Sequence, residues 1–160
     1  VIKLEHFKEN TSDGLRKAFI ECAAAETFLL WHKYKEDTQR EKATHTADND
    51  LNKGIIPEDF KRQMFYTYGD YRDFLFGTDI SKKHGKESAL AKKIDSLIEN
   101  TVRKIPNRKT RQEWWDEHGK EIWKGMLCAL PYNEKLKDKL EFQKIAEDFS
   151  KNPQFLRWFI

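Results

Sequence analysis

Trp114-Trp115-Asp116-Glu117-His118-Gly119-Lys120-Glu121-Ile122-Trp123-Lys124-Gly125-Met126-Leu127-Cys128-Ala129-Leu130 is the stretch whose reading decides the fold. It gathers three of the chain's five tryptophans and one of its two cysteines. At helical spacing Trp115, Ile122, Met126 and Ala129 fall on one face, and Trp123, Leu127 and Leu130 fall on a neighbouring one. So wide an apolar arc predicts a central helix that meets two or more partners. Upstream, Thr110 and Glu113 make a capping box, in which hydroxyl and carboxylate each satisfy a free backbone N–H; this sets the helix start near Arg111. Pro131 ends the helix, and Gly125 permits a close approach.

The flanking sequence reads as what packs around that post. Val1 to Asn10 is short and amphipathic, a strand or helical turn laid on the body. A long helix is predicted from Asp13 to about Glu36 or beyond, with Leu15, Phe19, Cys22, Glu26, Leu30 and Tyr34 near one stripe and Ala18, Ala25 and Leu29 beside it. Ala23-Ala24-Ala25 lets another helix approach closely. Glu26 lies inside the apolar run, where a buried carboxylate needs a partner; Arg72 is the candidate for a buried ion pair, and an exposed glutamate on the helix edge is the alternative. Residues 38–53 carry almost no large apolar side chain and read as a mobile, exposed loop.

A second helix follows Gly54-Ile55-Ile56-Pro57, with Pro57 at its first position and Glu58 and Asp59 at the positive end of its dipole. Phe60, Met64, Tyr68, Tyr71 and Leu75 recur at helical spacing, an aromatic stripe read as core. Gly69 inside it costs about 1 kcal/mol against alanine, offset if a bulky side chain such as tryptophan packs on the bare backbone. Gly77 closes this helix. Glu87 to about Asn100 makes a third, with Leu90, Ile94, Leu97 and Ile98 inward. Beyond the central helix, Lys139 to Phe149 fits another with Phe142, Ile145, Ala146 and Phe149 inward. Asn152-Pro153 caps a last one, Gln154 to Ile160. Phe19, Trp31, Met64, Tyr71, Trp115, Ile122, Trp123 and Leu127 are the expected core, and the fold class is all-α, a bundle of about five to six helices with long loops.

With 160 residues the chain suits one domain, 1–160, able to bury roughly 70% of its unfolded surface. Thirty basic against 27 acidic residues leave a net charge of +3, too little to argue for nucleic acid. No apolar run reaches the roughly 18 residues of a membrane span, which argues against direct membrane insertion, and the first residues lack the form of a secretory signal. Basic character is local: Lys82 and Lys83 in one loop, and Arg103, Lys104, Arg108, Lys109 and Arg111 in the connector to the central helix, are the candidate polyanion-binding residues, with a solvated loop as the alternative. Asn10-Thr11-Ser12 matches a glycosylation acceptor.

Enzyme chemistry needs convergent groups, and these are sparse. His6, His32, His45, His84 and His118 are dispersed, without His-Glu-x-x-His, Cys-x-x-Cys, a Gly-rich phosphate loop or Gly-x-Ser-x-Gly. His118 and Cys128 sit ten residues apart on one helix, about 15 Å along its axis and too far to act as a dyad. No catalytic residue, metal site or cofactor is expected. The residues describe a helical interaction domain.

Four blocks carry a resemblance. Ala18-Phe19-Ile20-Glu21-Cys22-Ala23-Ala24-Ala25-Glu26-Thr27-Phe28-Leu29-Leu30-Trp31-His32-Lys33-Tyr34-Lys35 is the first, and Gly54-Ile55-Ile56-Pro57 through Phe60 to Asp73 is the second. With Trp114-Trp115 through Leu130 and Pro153-Gln154-Phe155-Leu156-Arg157-Trp158-Phe159, they closely resemble the Duffy-binding-like domains of the malaria parasite's erythrocyte membrane protein 1 family. The resemblance implies an extracellular helical adhesion module on the infected red cell, part of a larger anchored protein, that binds a host receptor protein on endothelium or a serum protein and is a target of antibodies. It implies no catalysis. Alternatives are sulfated-glycosaminoglycan binding through the basic loops 82–84 and 103–111, or a scaffold fragment that binds no receptor.

Cys22 and Cys128 stand at family cysteine positions, and the resemblance implies a disulfide between them. It would close a loop of about 105 residues, worth about 4–5 kcal/mol in the chain-entropy model; two separate buried thiols are the alternative. Family domains are usually longer and richer in cysteine. Phe74, Leu75 and Phe76 stand where many members have a cysteine, the segment from Tyr132 to Phe149 is short, and the family's leading segment and cysteine-rich third subdomain are expected to be missing or trimmed here. The chain is thus expected to be the middle helical subdomain, trimmed or engineered.

Overall fold

The computed structural model describes residues 11–40, 46–78, 92–96 and 110–157. It is all-α, and no strand occurs among these residues. Six helices are α1 Ser12–Arg40, α2 Thr46–Asn52, α3 Glu58–Phe76, α4 Arg111–Cys128, α5 Phe142–Ser150 and α6 Gln154–Arg157, with a 3₁₀ segment Asn133–Glu141 before α5 and a helical stretch at 92–96. α1, α3 and α4 pack on one another, α5 lies on α3, and the 3₁₀ segment bridges α2, α4 and α5.

α4 begins where the sequence places it. Thr110 accepts from the Glu113 N–H, and the Glu113 carboxylate accepts from the Thr110 N–H at 3.0 Å, so two orphan donors are satisfied reciprocally. Its buried residues include Trp114, Trp115, Gly119, Ile122, Trp123, Met126 and Leu127. At Gly125 α1 comes in closely, since a Cβ there would stand 2.9 Å from Ile20 Cγ2. α3 ends at Gly77, whose φ of 71° is left-handed and whose N–H returns to Asp73 O.

The core is aromatic. Phe19 meets Tyr71 edge-on at 5.8 Å and Trp114 at 5.5 Å; Tyr68 packs on Trp115 at 5.0 Å and on Trp123 at 5.9 Å. Phe19, Trp31, Met64, Tyr71, Trp115, Ile122, Trp123 and Leu127 are all buried. Trp31 stacks on Tyr34 and stands edge-on to Phe60, and its indole N–H donates to Asp48.

Several local expectations are corrected. The stretch 38–53 is not a loop throughout: α1 runs to Arg40, α2 occupies Thr46–Asn52, and its Leu51 is fully buried. Leu51, with Ala47 packed beside it and Asp48 bound to Trp31, is enough to seat that short helix. Pro57 is the N-cap rather than the first helical residue of α3. α5 starts at Phe142, with Lys139 in the preceding 3₁₀ segment, and Ile145 is half exposed while Ala146 is buried. Leu29 on α1 is 66% exposed, and neighbouring Ala25 is also outside. The expectations for 1–10, for most of 87–100 and for 158–160 lie outside the described residues.

Candidate interaction surface

Two buried polar hubs hold the C-terminal helices against α3 and α4, and so fix the outer surface. The first is Glu147 on α5. Its Oε2 accepts from Tyr68 Oη at 2.8 Å and from Trp115 Nε1 at 2.7 Å, while Gln143 Nε2 donates to the same Tyr68 oxygen at 2.9 Å. Burial, reinforced by the Glu147 charge, pushes the Tyr68 hydroxyl well above its ordinary pKa, so it stays a donor. Gly119 makes this possible, since a Cβ there would lie 2.7 Å from Tyr68 Oη. Glu147 Oε1 and Arg72 Nε face each other at 3.9 Å, buried and without a hydrogen bond.

The second hub is Arg157 on α6, only 1% exposed. It pairs with Asp73, lies 3.6 Å from Asp70, and donates to Asn152 O at 2.7 Å and Ser150 O at 3.2 Å. Its guanidinium lies flat against Gly69, where a Cβ would meet Nε at 3.0 Å and Cζ at 3.1 Å. The bulky neighbour over Gly69 is therefore an arginine. Tyr66 donates to Arg157 O at 2.6 Å, and Gln154 donates to Asp70. At Asp70 burial outweighs the Gln154 donor and the Arg157 charge, pushing its pKa up to about 6, with Glu26 and Asp73 adding repulsion. Burial also raises Asp73 despite its contact with Arg157.

The sequence-predicted pairs are rearranged. Glu26 and Arg72 do not meet: Glu26 is partly exposed and accepts from Tyr71 Oη at 3.0 Å, while Arg72 turns to Glu147 and covers the Phe76 ring at 4.5 Å. Tyr71 reaches the carboxylate first, and α5 supplies the acid that Arg72 faces. The Cys22–Cys128 bridge is not formed. Cys22 is buried near Tyr71 of α3, whereas Cys128 is exposed in the last turn of α4. It is Ile20, two residues from Cys22 and about 200° around the helix, that faces α4 at Gly125.

Of the basic candidates, Lys82, Lys83, Arg103, Lys104, Arg108 and Lys109 lie outside the described residues. Arg111 is turned inward. It donates to Leu75 O at 2.7 Å and pairs with Asp95, and burial lowers its pKa. It closes the C-terminal end of α3 rather than offering a free charge to a polyanion.

The outside is where binding chemistry is left. On α1, Phe28 is 48% exposed, its ring edge-on to His32 at 4.5 Å beside the exposed Leu29. A cleft of about 390 Å³ between α1 and α3 is lined by residues including Leu30, Tyr34, Asp37 and Tyr66. A pocket of about 360 Å³ lies between α4 and the 3₁₀–α5 junction. Among the described residues no group of three or more His, Cys, Asp or Glu is placed to hold a metal ion, and no helix is long and apolar enough to cross a membrane.

These features define an all-α module whose polar chemistry is invested in packing helix on helix. The family model of the Duffy binding domain matches residues 1–157, and the chain belongs to that family. It is 27% identical over 111 residues to the Duffy receptor gamma form of Plasmodium knowlesi, a match covering 65% of this chain and 9% of that protein. It is also 27% identical over 109 residues to the Duffy receptor of Plasmodium vivax (strain Salvador I), covering 68% of this chain and 10% of that one. The chain thus spans about a tenth of the length of these relatives. No solved structure matches it.

Proposed function

We propose that the chain is a host-cell adhesion module of a malaria-parasite surface antigen, binding a host receptor protein through its exposed helix and loop surfaces. Membership of the Duffy binding domain family is the observation that carries this reading, and the relatives' names as Duffy receptors point the same way. The four sequence blocks favour the erythrocyte membrane protein 1 branch, display on the infected red cell as part of a larger protein, and exposure to antibodies. The apolar side chains left outside on α1, Phe28 and Leu29, suit contact with protein.

The sulfated-glycan alternative rests on Lys82, Lys83, Arg103, Lys104, Arg108 and Lys109, without Arg111. A pull-down of the whole chain against endothelial receptors, serum proteins and glycosaminoglycans separates the readings. Receptor protein retained in high salt and not displaced by heparin is expected, because apolar contacts are not screened. Capture only at low salt, competed by heparin, makes the module a glycan binder; capture of nothing refutes adhesion.

A further inference from the structure

The pocket between α4 and the 3₁₀–α5 junction has walls fixed from behind. Lys120, Glu121 and Lys124 form one side, Leu140 and Gln143 the other, around about 360 Å³. Trp123 Nε1 donates to Lys139 O at 3.3 Å, which pins the backbone beside Leu140 to α4. Gln143 is held by its bond to the buried Tyr68 hydroxyl. Both halves are therefore anchored in the core before anything binds, which lowers the ordering cost of binding.

The charges around the pocket are unequal. Glu121 is already engaged, by Arg16 at 3.3 Å and by His118 Nδ1 at 3.1 Å. Lys120 and Lys124, one helical turn apart, are exposed and have no carboxylate partner among the described residues. Beside them the wall segment 139–144 adds Lys139 and Lys144 against Glu141. The pocket is also greasy, since Leu140 is 44% exposed into a site whose two lysines offer methylene stems. A sulfated glycan would use the ammoniums and leave the leucine uncovered.

We propose that this pocket receives a segment of a partner protein in which an acidic side chain stands beside a large aliphatic or aromatic one, the acid between Lys120 and Lys124 and the apolar group on Leu140. The proposal rests on the adhesion reading and names the chemistry of the receptor segment. The test is fluorescence anisotropy of the full chain with a labelled peptide of alternating glutamate and leucine. Saturable binding is expected, weakened about tenfold by Lys120→Glu with Lys124→Glu and about threefold by Leu140→Ser, with melting temperature unchanged because all three side chains are exposed. A glutamate–serine peptide should bind more weakly than the glutamate–leucine one.

No saturable binding, equal affinity for all variants, or equal affinity for the two peptides overturns the proposal. A heparin oligosaccharide that displaces the peptide and binds as tightly assigns the lysines to polyanions and overturns it too. Beads coated with wild type and with the double lysine variant, tested on endothelial cells, separate the two levels. Cell binding that survives the variant defeats the pocket alone, whereas wild type that binds no cell or receptor defeats the adhesion reading.

Discussion

Glu147→Ala tests whether a single carboxylate ties three helices together. Its Oε2 accepts from both Tyr68 and Trp115, so alanine leaves two buried donors short of their acceptor. Each such loss costs about 1–3 kcal/mol, but the Tyr68 oxygen keeps its bond from Gln143 and small shifts recover part of the rest. The Arg72 guanidinium also loses the carboxylate 3.9 Å away. A net cost of about 3 kcal/mol follows, which for a chain of this size lowers the melting temperature by about 6–12 °C. Urea unfolding followed by tryptophan fluorescence measures it, and a double-mutant cycle with Tyr68→Phe isolates the shared bond at about 1–2 kcal/mol. Loss of less than about 0.5 kcal/mol, or additive single effects, would refute the hub.

Three further outcomes follow from particular contacts. Gly119→Ala should destabilise by about 1–3 kcal/mol despite alanine's better helix propensity, because the new Cβ meets a Tyr68 hydroxyl that two bonds hold in place; an unchanged urea midpoint contradicts this. Asp70, with a pKa of about 6 against an ordinary value near 3.8, binds its proton more tightly in the folded state. Its contribution to stability is therefore greatest below about pH 3.8 and is lost as pH rises through about 6. Asp70→Asn should be more stable than wild type near pH 7.5, with the difference shrinking towards pH 4; a pH-independent difference argues against the assignment. Cys128 should react with a maleimide in the folded protein and Cys22 only on unfolding, as read by mass spectrometry; two protected sulfurs freed only by reductant would restore the disulfide.

The helices were legible wherever many residues repeat one pattern. α4 announces itself through a capping box and an arc of tryptophans, and α3 through an aromatic stripe that ends in Gly77. Legibility fails where a single side chain decides. Leu51, with the small Ala47 beside it, seats α2 in a polar stretch, and four-residue α6 is too short for periodicity to mark Gln154 and Arg157 as its buried side chains. Partner choice was equally hidden. The sequence offered Glu26 of α1 to Arg72, whereas the acid it faces, Glu147, lies on α5, and only the packing of α5 onto α3 brings that acid in. The outer pocket left no trace in the pattern, because Lys120, Lys124 and Leu140 read individually as ordinary surface positions.

The two hubs also set an order of events during synthesis. Tyr66, Tyr68, Asp73 and Trp115 take partners 91, 79, 84 and 32 residues downstream, all at or beyond Glu147. While the ribosome is still making α5 and α6, the earlier helices can collapse on their aromatic stripes, but these polar groups must stay wet. Residues 147–157 therefore act as a closing key for the helices that precede them. Until residues 147–157 emerge, the module is a loosened bundle with α3 open to solvent and exposed to chaperones or proteases.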